Sequence, residues 1–286
     1  MRDFSLILLE LGKVRITIVV AVSTVFGYLL AARAVTIEAL LTVIGVFLLA
    51  AGASALNQYQ ERNYDALMER AGKRPIPSGR IRPAAALVAS LVICLAGVAV
   101  LYFFSGTVPA LLGILAFVWY NFIYTPLKRV TSIAVIPGSL IGSIPPAIGW
   151  VAGGGFLGDP EIIFICIFFF IWQIPHFWLL LLVYDDEYRK AGYPVLTQML
   201  SQPQLLRVTF SWITGQVAVS LIVPLFSQGT DIIALAVIIL AGLRLVYVSA
   251  RIMGDALDRK VLRKTFMELN FFVLIFLTVL TIDKLI

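Results

Sequence analysis

The chain has 286 residues, of which 60% are hydrophobic and only 13% are charged. Because a soluble domain carries about 25% charged residues, this composition excludes a soluble protein and indicates an integral membrane protein in a lipid bilayer. The net charge of +6 gives no support to a nucleic-acid partner, because membrane topology explains most of the basic residues.

Nine apolar segments are long enough to cross a bilayer, which needs roughly 20 residues per helix. They lie at about 15–32, 37–56, 84–104, 108–125, 133–153, 161–183, 208–227, 231–250 and 266–283. The sequence therefore predicts an all-α, polytopic membrane bundle of about nine transmembrane helices. No cleavable signal peptide is expected before the first segment.

The basic residues predict the orientation of these segments. All lysines and arginines except Arg33 and Lys284 fall at one set of helix ends, which the positive-inside rule assigns to the cytoplasm together with the N-terminus. The loops on that side, 57–83 and 184–207, are long and polar, whereas the opposite connections are only a few residues long. We therefore expect the active site to face the cytoplasm.

A weak internal repeat is seen when the chain is divided near residue 132. Each half has an acidic segment after its second helix and a basic loop after its fourth. This pattern predicts one transmembrane domain, 1–286, with two pseudo-repeated four-helix halves at about 1–131 and 132–260 and a final helix at 266–283. Duplicated halves commonly build one site at their interface.

Three oxygen-bearing side chains follow the second apolar segment. Asn57, Glu61 and Asp65 recur at i, i+4 and i+8 and would span about 80° of one helix face. A charge at mid-membrane costs roughly 2.5 to 3.5 kcal/mol, so these acids must lie at the interface or face a polar cavity. A solvated loop whose acids pair with nearby arginines is the simpler interpretation. Their position on one helix face nevertheless favours a binding site over a solvated loop.

A second acidic run, Asp185, Asp186 and Glu187, follows the sixth segment. All-oxygen ligands suit Mg²⁺, which proteins usually hold with one or two carboxylates and a phosphate-bearing substrate. Cys94 and Cys166 each lie inside an apolar segment, so a soft-metal site is not indicated.

Basic side chains share the inner loops with the acids: Arg62, Lys73, Arg74, Lys128 and Arg129. Topology alone would account for about half of them. Cations beside metal-type carboxylates nevertheless indicate an anion that is carried by a divalent metal. A diphosphate fits, because Arg offers bidentate contacts and Lys a point charge.

Aromatic residues surround the one histidine of the chain, in the sequence FFFIWQIPHFW at 168–178. A lone His176 is more often a satisfied residue of the bundle interior. With Trp172 and Trp178 beside it and an acidic segment one or two turns further on, the alternative is a pocket whose aromatic faces stabilise a cation.

Three segments of the chain carry a family resemblance. NQYQERNYDALMERAGKRPIPSGRI, YTPLKRVTSIAVIPGSLIGSIPPAIGWVAG and IWQIPHFWLLLLVYDDEYRKAGYPVL resemble the signature regions of the UbiA-type intramembrane prenyltransferases. The likeness covers most of residues 10–200. Within that superfamily, the stretches 124–129 and 175–178 are more similar to the haem O synthase (protohaem IX farnesyltransferase) branch than to the quinone-forming one.

The resemblance implies two Mg²⁺-binding motifs that hold an isoprenoid diphosphate. The catalytic residues of these motifs would be Asn57, Glu61, Asp65, Asp185, Asp186 and Glu187, of which all but Asp186 are expected metal ligands. Glu61 and Glu187 stand where the family usually has Asp. The diphosphate-binding residues would be Lys73, Arg74, Lys128, Arg129 and Arg62.

The resemblance also implies the reaction, which is Mg²⁺-dependent transfer of a farnesyl group from farnesyl diphosphate to a vinyl group of haem B. The acceptor and prenyl pocket would contain His176, Trp172, Trp178, Tyr120 and Tyr124, with His176 on the haem iron or the propionates. The expected location is a prokaryotic plasma membrane, and the candidate protein partners are those that handle haem or assemble oxidases. The alternatives are an aromatic quinone precursor or a glycerol-phosphate lipid as acceptor, or a secondary transporter.

Overall fold

The computed structural model describes residues 2–226, 231–254 and 259–285, so the predicted end of the seventh span at residue 227 lies outside them. Its α-helices are α1 (Arg2–Leu11), α2 (Val14–Ala32), α3 (Ile37–Asp65), α4 (Pro83–Ser105), α5 (Thr107–Val118), α6 (Thr125–Leu127), α7 (Val135–Gly138), α8 (Leu140–Ala152), α9 (Pro160–Lys190), α10 (Gln202–Phe226), α11 (Ile232–Ser249) and α12 (Arg259–Leu285). A π-helical turn, Trp119–Tyr124, joins α5 to α6. Short 3₁₀ turns lie at Ala71–Lys73, Ser132–Ala134, Leu196–Gln198 and Ala250–Met253.

Nine helical segments in the described ranges are long and apolar enough to cross a membrane, which confirms the predicted all-α, polytopic architecture. The helix surfaces that face outward are themselves apolar. Leu95, Phe103 and Leu240 are each at least two-thirds exposed. In water such exposure would be unfavourable, whereas lipid chains are as apolar as these side chains.

Two helices extend further than the hydropathy predicts. Hydropathy predicts that the second span ends at residue 56 and the sixth at 183, but α3 continues to Asp65 and α9 to Lys190. Hydropathy falls where charges begin, whereas helical hydrogen bonding continues if the charged side chains find partners. Both acidic segments therefore lie on helices. The first also keeps the regular spacing of its oxygen-bearing side chains.

Small residues allow α2 and α8 to approach backbone to backbone. A Cβ atom on Gly27 would overlap the carbonyl of Pro146, and one on Gly149 would overlap the carbonyl of Thr24. Such contacts are typical of membrane helices, in which close packing rather than water exclusion holds neighbours together. This packing fixes the proline-containing helix α8 at the centre of the bundle, where it also contacts α3, α5 and α9.

The largest buried core surrounds α9, which packs against α8, α10 and α12. Phe168 stacks on Phe276 with ring centroids 4.2 Å apart, and Phe272 lies 6.3 Å from Phe168. Because α12 also contacts α2, the C-terminal helix joins the two ends of the chain. A separate small core at the C-terminal ends of α3 and α9 contains Met68 and Tyr193, so the two acidic helix ends lie next to each other.

Candidate active site

Asn57, Glu61 and Asp65 form a buried row on three successive turns of α3, which we call the oxygen row. Their exposed fractions are only 1%, 3% and 3%, although two of them are carboxylic acids. Burial of this kind requires that each charge be paired or hydrogen-bonded. The partners of the row come from distant parts of the chain.

Two buried ion pairs neutralise the carboxylates of the oxygen row. Lys128 Nζ lies 2.6 Å from Glu61 Oε1 and 2.7 Å from Oε2. Arg74 Nη1 donates to both oxygens of Asp65 at 2.7 Å. Burial alone would lower the pKa of Lys128, but the Glu61 carboxylate raises that pKa above its ordinary value, so Lys128 stays a cation.

Lys13 is a third cation of the site, and the sequence indicated only a topological role for it. It lies between α1 and α2 with a left-handed backbone (φ 49°), and its Nζ donates to Asn57 Oδ1 at 3.0 Å. Burial, together with the positive charges of Arg74 and Lys128, lowers the pKa of Lys13 to about 7. No sequence pattern marked this residue, because its contact spans 44 positions.

The second acidic run lies at the C-terminal end of α9, beyond a local break at Tyr184 (φ −115°, ψ 17°). Asp185 accepts hydrogen bonds from Arg189, four residues later, and from Thr197. Asp186 is exposed and Glu187 is half-buried. In the described residues, no group of three or more His, Cys, Asp and Glu side chains is gathered closely enough to hold a metal ion.

Tyr193 links the two acidic regions, and the sequence analysis missed it. Its hydroxyl donates to Glu61 Oε1 at 2.9 Å, and its ring lies 5.1 Å from that of Tyr64 and 5.7 Å from that of Tyr188. Burial and the negative charge of Glu61 raise the pKa of Tyr193, so its hydroxyl stays protonated. The segment that follows α9 therefore covers the oxygen row. The one sequence feature that could have identified Tyr193 is its position shortly after the acidic run at 185–187.

The remaining predicted cations are placed differently from one another. Arg129 donates to a backbone carbonyl of α3 and covers the Tyr64 ring at 4.9 Å, so it borders the site. Arg62 instead folds back on its own helix, where it donates to the Tyr59 carbonyl and covers the Tyr59 ring at 4.5 Å. Lys73 is exposed. In the part of the chain that the structure describes, neither Arg62 nor Lys73 contacts the oxygen row.

Aromatic side chains border the cation next to Glu61. Tyr120 and Tyr124 stack with ring centroids 6.0 Å apart, and Lys128 Nζ lies 5.5 Å from the Tyr124 ring. Both tyrosines belong to the π-helical turn, a feature that occurs frequently at functional sites. Asn57 Nδ2 donates to Thr125 just after this turn, which fixes the turn against α3.

His176 lies in the body of α9, away from the acids. Its ring is 4.9 Å from Trp172 and 4.7 Å from Phe266 of α12. Trp178, which the sequence grouped with these residues, points elsewhere: its ring packs edge-on against Trp212 of α10. The structure therefore brings His176 and Trp172 together and places Trp178 in a different contact.

A model of the UbiA prenyltransferase family matches residues 20–275 of the chain. The protoheme IX farnesyltransferase of Geobacter sulfurreducens is 43% identical over 189 residues, which cover 66% of this chain and 70% of that protein. The protein of the same name from Oleidesulfovibrio alaskensis is 32% identical over 279 residues, 97% of this chain and 96% of the relative.

Solved structures share the fold at low sequence identity. A digeranylgeranylglyceryl phosphate synthase superposes with a TM-score of 0.81 at 17% identity and covers 100% of this chain and 99% of its own. A UbiA homologue from Archaeoglobus fulgidus, solved with GPP and Mg²⁺ bound, gives a TM-score of 0.68 at 14% identity and covers 96% and 99%.

Proposed function

Because the chain belongs to the UbiA prenyltransferase family, we propose that it transfers the farnesyl group of farnesyl diphosphate to a vinyl group of haem B, giving haem O and diphosphate. The observation that carries the proposal is the buried oxygen row, since three cations and a tyrosine hydroxyl converge on it from four other parts of the chain. The near full-length match to a protoheme IX farnesyltransferase supports haem as the acceptor.

The reaction breaks the allylic C–O bond, the vinyl π bond and one O–H bond of water, and it forms one C–C bond and one C–O bond. The allylic C–O bond of farnesyl diphosphate breaks, and its electron pair leaves with the diphosphate. The resulting farnesyl cation accepts the π electrons of the vinyl group, which forms the new C–C bond. Water adds its oxygen to the carbon that is left positive and releases a proton. The product carries a hydroxyethylfarnesyl side chain.

The diphosphate end of the substrate is bound by the cations that now neutralise the oxygen row. Arg74 offers a planar, bidentate donor set and Lys128 a compact charge, and both suit phosphate oxygens. Arg129 borders the same region. Preorganised positive charges stabilise the leaving diphosphate as the C–O bond breaks, which is commonly the largest electrostatic contribution to catalysis.

The donor atoms of the oxygen row are of the kind that Mg²⁺ prefers, although the described acids are not gathered around one point. Asn57, Glu61 and Asp65 present only oxygen ligands on one face, and we propose that they hold the metal together with Asp185 and Glu187. When bound, Mg²⁺ would neutralise charge on the diphosphate. The ion pairs to Lys128 and Arg74 would then be exchanged, since each carboxylate can take the metal while its cation moves to a phosphate oxygen.

The aromatic side chains protect the cationic intermediate. Tyr120 and Tyr124 present ring faces beside Lys128, and Trp172 lies deeper along α9 next to His176. Aromatic faces attract a cation through the ring quadrupole. A site walled in this way also excludes water until the C–C bond has formed.

We place this site at the cytoplasmic side of a prokaryotic plasma membrane, with the N-terminus on the same side. The arrangement of charge supports this orientation, because Lys13, Arg74, Lys128 and Arg129 lie together at one end of the bundle. Positive residues concentrate on the cytoplasmic side of membrane proteins.

The test is an assay with the purified full chain in detergent, supplied with Mg²⁺, farnesyl diphosphate and haem B. Mass spectrometry is expected to detect the hydroxyethylfarnesyl adduct of haem. Asp65→Ala should abolish the product, because it removes a proposed metal ligand and the partner of Arg74. Glu268→Gln is the control, since Glu268 lies outside the oxygen row and pairs with Arg244, whose side chain is 62% exposed, so the change should leave turnover unchanged.

Two results would contradict the proposal in different ways. Prenylation of an aromatic acid or a glycerol-phosphate lipid, with haem B unreacted, would show that the acceptor is wrong. Undiminished turnover by a correctly folded Asp65→Ala variant would show that the oxygen row is not the site.

A further inference from the structure

His176 and Asn270 form a polar pair between α9 and α12. His176 Nδ1 lies 2.9 Å from Asn270 Oδ1, and the two residues are 94 positions apart in the sequence. The surroundings are aromatic, with Trp172, Phe177 and Phe266 all within 6 Å of the imidazole, centroid to centroid. Polar residues inside a membrane bundle are energetically costly and commonly mark functional sites, so this pair requires an explanation.

The hydrogen bonds of Asn270 determine which nitrogen of His176 carries the proton. Asn270 Nδ2 lies 2.6 Å from the backbone carbonyl of Phe266, which can only accept, so the amide nitrogen must be on that side. The amide oxygen therefore faces His176 and can only accept. It follows that Nδ1 of the neutral imidazole is the donor and that Nε2 is left unprotonated.

The unprotonated nitrogen, Nε2, has no hydrogen-bond partner among the described residues. In the ranges that the structure covers, no side chain is found within hydrogen-bonding distance of Nε2, and the ring is only half-buried. An imidazole whose Nδ1–H is held by an oxygen acceptor and whose Nε2 lone pair is free has the arrangement that metal-ligating histidines generally show. The iron of a porphyrin can accept such a lone pair and take the imidazole as an axial ligand.

We propose that Asn270 is a positioning residue that presents Nε2 of His176 as an axial ligand to the iron of the porphyrin acceptor. This inference rests on the proposed function, because it requires haem B as the acceptor. It narrows the two contacts considered for His176, the iron and the propionates, to the iron. It also adds Asn270, which lies outside the segments that carry the family resemblance.

The position of the pair along α9 suits this role. Nine residues separate His176 from Asp185, so the two lie roughly 14 Å apart along the helix axis at 1.5 Å per residue. An acceptor anchored by its iron at His176 would extend toward the inner end of α9, where the diphosphate is proposed to bind. Ligation at one fixed point would orient the porphyrin and select which vinyl group meets the farnesyl cation.

The experiment is a titration of the purified full chain, without Mg²⁺ so that no turnover occurs, with ferric haem B and with iron-free protoporphyrin IX. Absorption and electron paramagnetic resonance spectra report the axial ligand. The unaltered protein is expected to give a histidine-ligated spectrum. His176→Ala should lose that signature and bind haem more weakly, yet bind protoporphyrin IX as before, because the metal-free ring has no iron to ligate.

The Asn270 variants separate positioning from general packing. Asn270→Leu should weaken haem binding by about 10-fold to 100-fold, the usual effect of removing a hydrogen-bond partner of a metal-ligating histidine, and leave protoporphyrin IX binding unchanged. Asn270→Asp should keep the histidine signature and shift the haem reduction potential downward, because a carboxylate makes the imidazole a stronger donor. Thr265→Val, at a buried α12 position whose hydroxyl has no hydrogen-bond partner in the described residues, is the matched control and should behave as the unaltered protein.

The outcomes distinguish this inference from the proposed function. The inference is wrong while the function stands if the unaltered protein farnesylates haem but His176→Ala keeps its spectrum and affinity. The same holds if Asn270→Leu keeps its haem affinity and Asn270→Asp keeps the haem reduction potential of the unaltered protein. If the unaltered protein neither binds nor farnesylates haem, both are wrong. Should His176→Ala be unstable, His176→Gly with added imidazole is a second measurement, and recovery of the ligated spectrum supports the inference whereas no recovery contradicts it.

Discussion

The two acidic regions of this protein differ in how deeply their carboxylates are buried and in how far away in the chain their partners lie. The oxygen row on α3 is buried, and its two carboxylates are bound by Lys128 and Arg74. The acids at the C-terminal end of α9 are more exposed, and among the described residues Asp185 pairs with Arg189 and Thr197, which follow it closely in the chain. The first region is therefore part of the folded bundle, whereas the second is held by local contacts.

This difference indicates which interactions serve stability and which serve only function. A buried ion pair leaves an uncompensated charge when one partner is removed, so the oxygen row contributes to folding as well as to the site. An exposed pair contributes little to stability. Substitutions in the two regions should therefore differ in their effect on folding even where both abolish activity.

Glu61→Gln is expected to have the largest effect, because it leaves Lys128 without its partner and weakens the bond from Tyr193. We expect unfolding to become easier by up to about 3 kcal/mol, the low end for a broken buried pair, since 22% of the Lys128 side chain is exposed. Turnover should fall by about 10²-fold to 10³-fold. Thermal unfolding in detergent and the mass-spectrometric assay measure the two effects. Full activity with a lowered melting temperature would assign Glu61 to folding alone.

Asp185→Asn should separate activity from stability. Because Asp185 pairs with the half-exposed Arg189, the change in unfolding free energy should stay below about 1 kcal/mol. Turnover at limiting Mg²⁺ should nevertheless fall at least about tenfold, as expected when the protein contacts of a metal are removed, and excess Mg²⁺ should restore part of it. A Mg²⁺ dependence identical to that of the unaltered protein would remove Asp185 from the proposed metal site.

Tyr193→Phe tests the contact that joins the two regions. It removes one hydrogen bond to the Glu61 carboxylate. Such a bond is worth about 1.5 kcal/mol at the low end. If the transition state loses that amount, kcat/KM should fall roughly tenfold. Tyr59→Phe is the matched control, since no hydrogen bond from the Tyr59 hydroxyl to the oxygen row is recorded in the described residues. Equal activities for the two variants would contradict a role for the Tyr193 hydroxyl.

Arg62→Gln should have the smallest effect. The guanidinium contacts the Tyr59 ring and carbonyl on its own helix and does not touch the oxygen row. Turnover is expected to stay within about twofold of the unaltered value, and stability within about 0.5 kcal/mol, as for most surface substitutions. A tenfold rise in KM for farnesyl diphosphate would show instead that Arg62 binds the diphosphate, as the family resemblance implies.

The sequence determined the membrane architecture and the oxygen row because both depend on short-range periodicity. Apolar runs of bilayer length specify spanning helices whatever their neighbours are. The spacing of Asn57, Glu61 and Asp65 specifies one face as long as the helix continues. The point at which α3 ends could not be read in the same way, because hydropathy registers the first charges and not the partners that allow them to stay helical and buried.

Only the tertiary structure decided which groups surround the acids and which side chains meet inside the bundle. Glu61 contacts Lys128 and Tyr193, which lie 67 and 132 residues away, and His176 contacts Asn270 across 94 residues. No local pattern encodes such contacts, because they follow from the packing of α9 against α8 and α12 and from the packing of the loops that follow α3, α6 and α9 against each other. Charge and polarity identify the candidates along the chain, whereas the packing of the helices selects their partners.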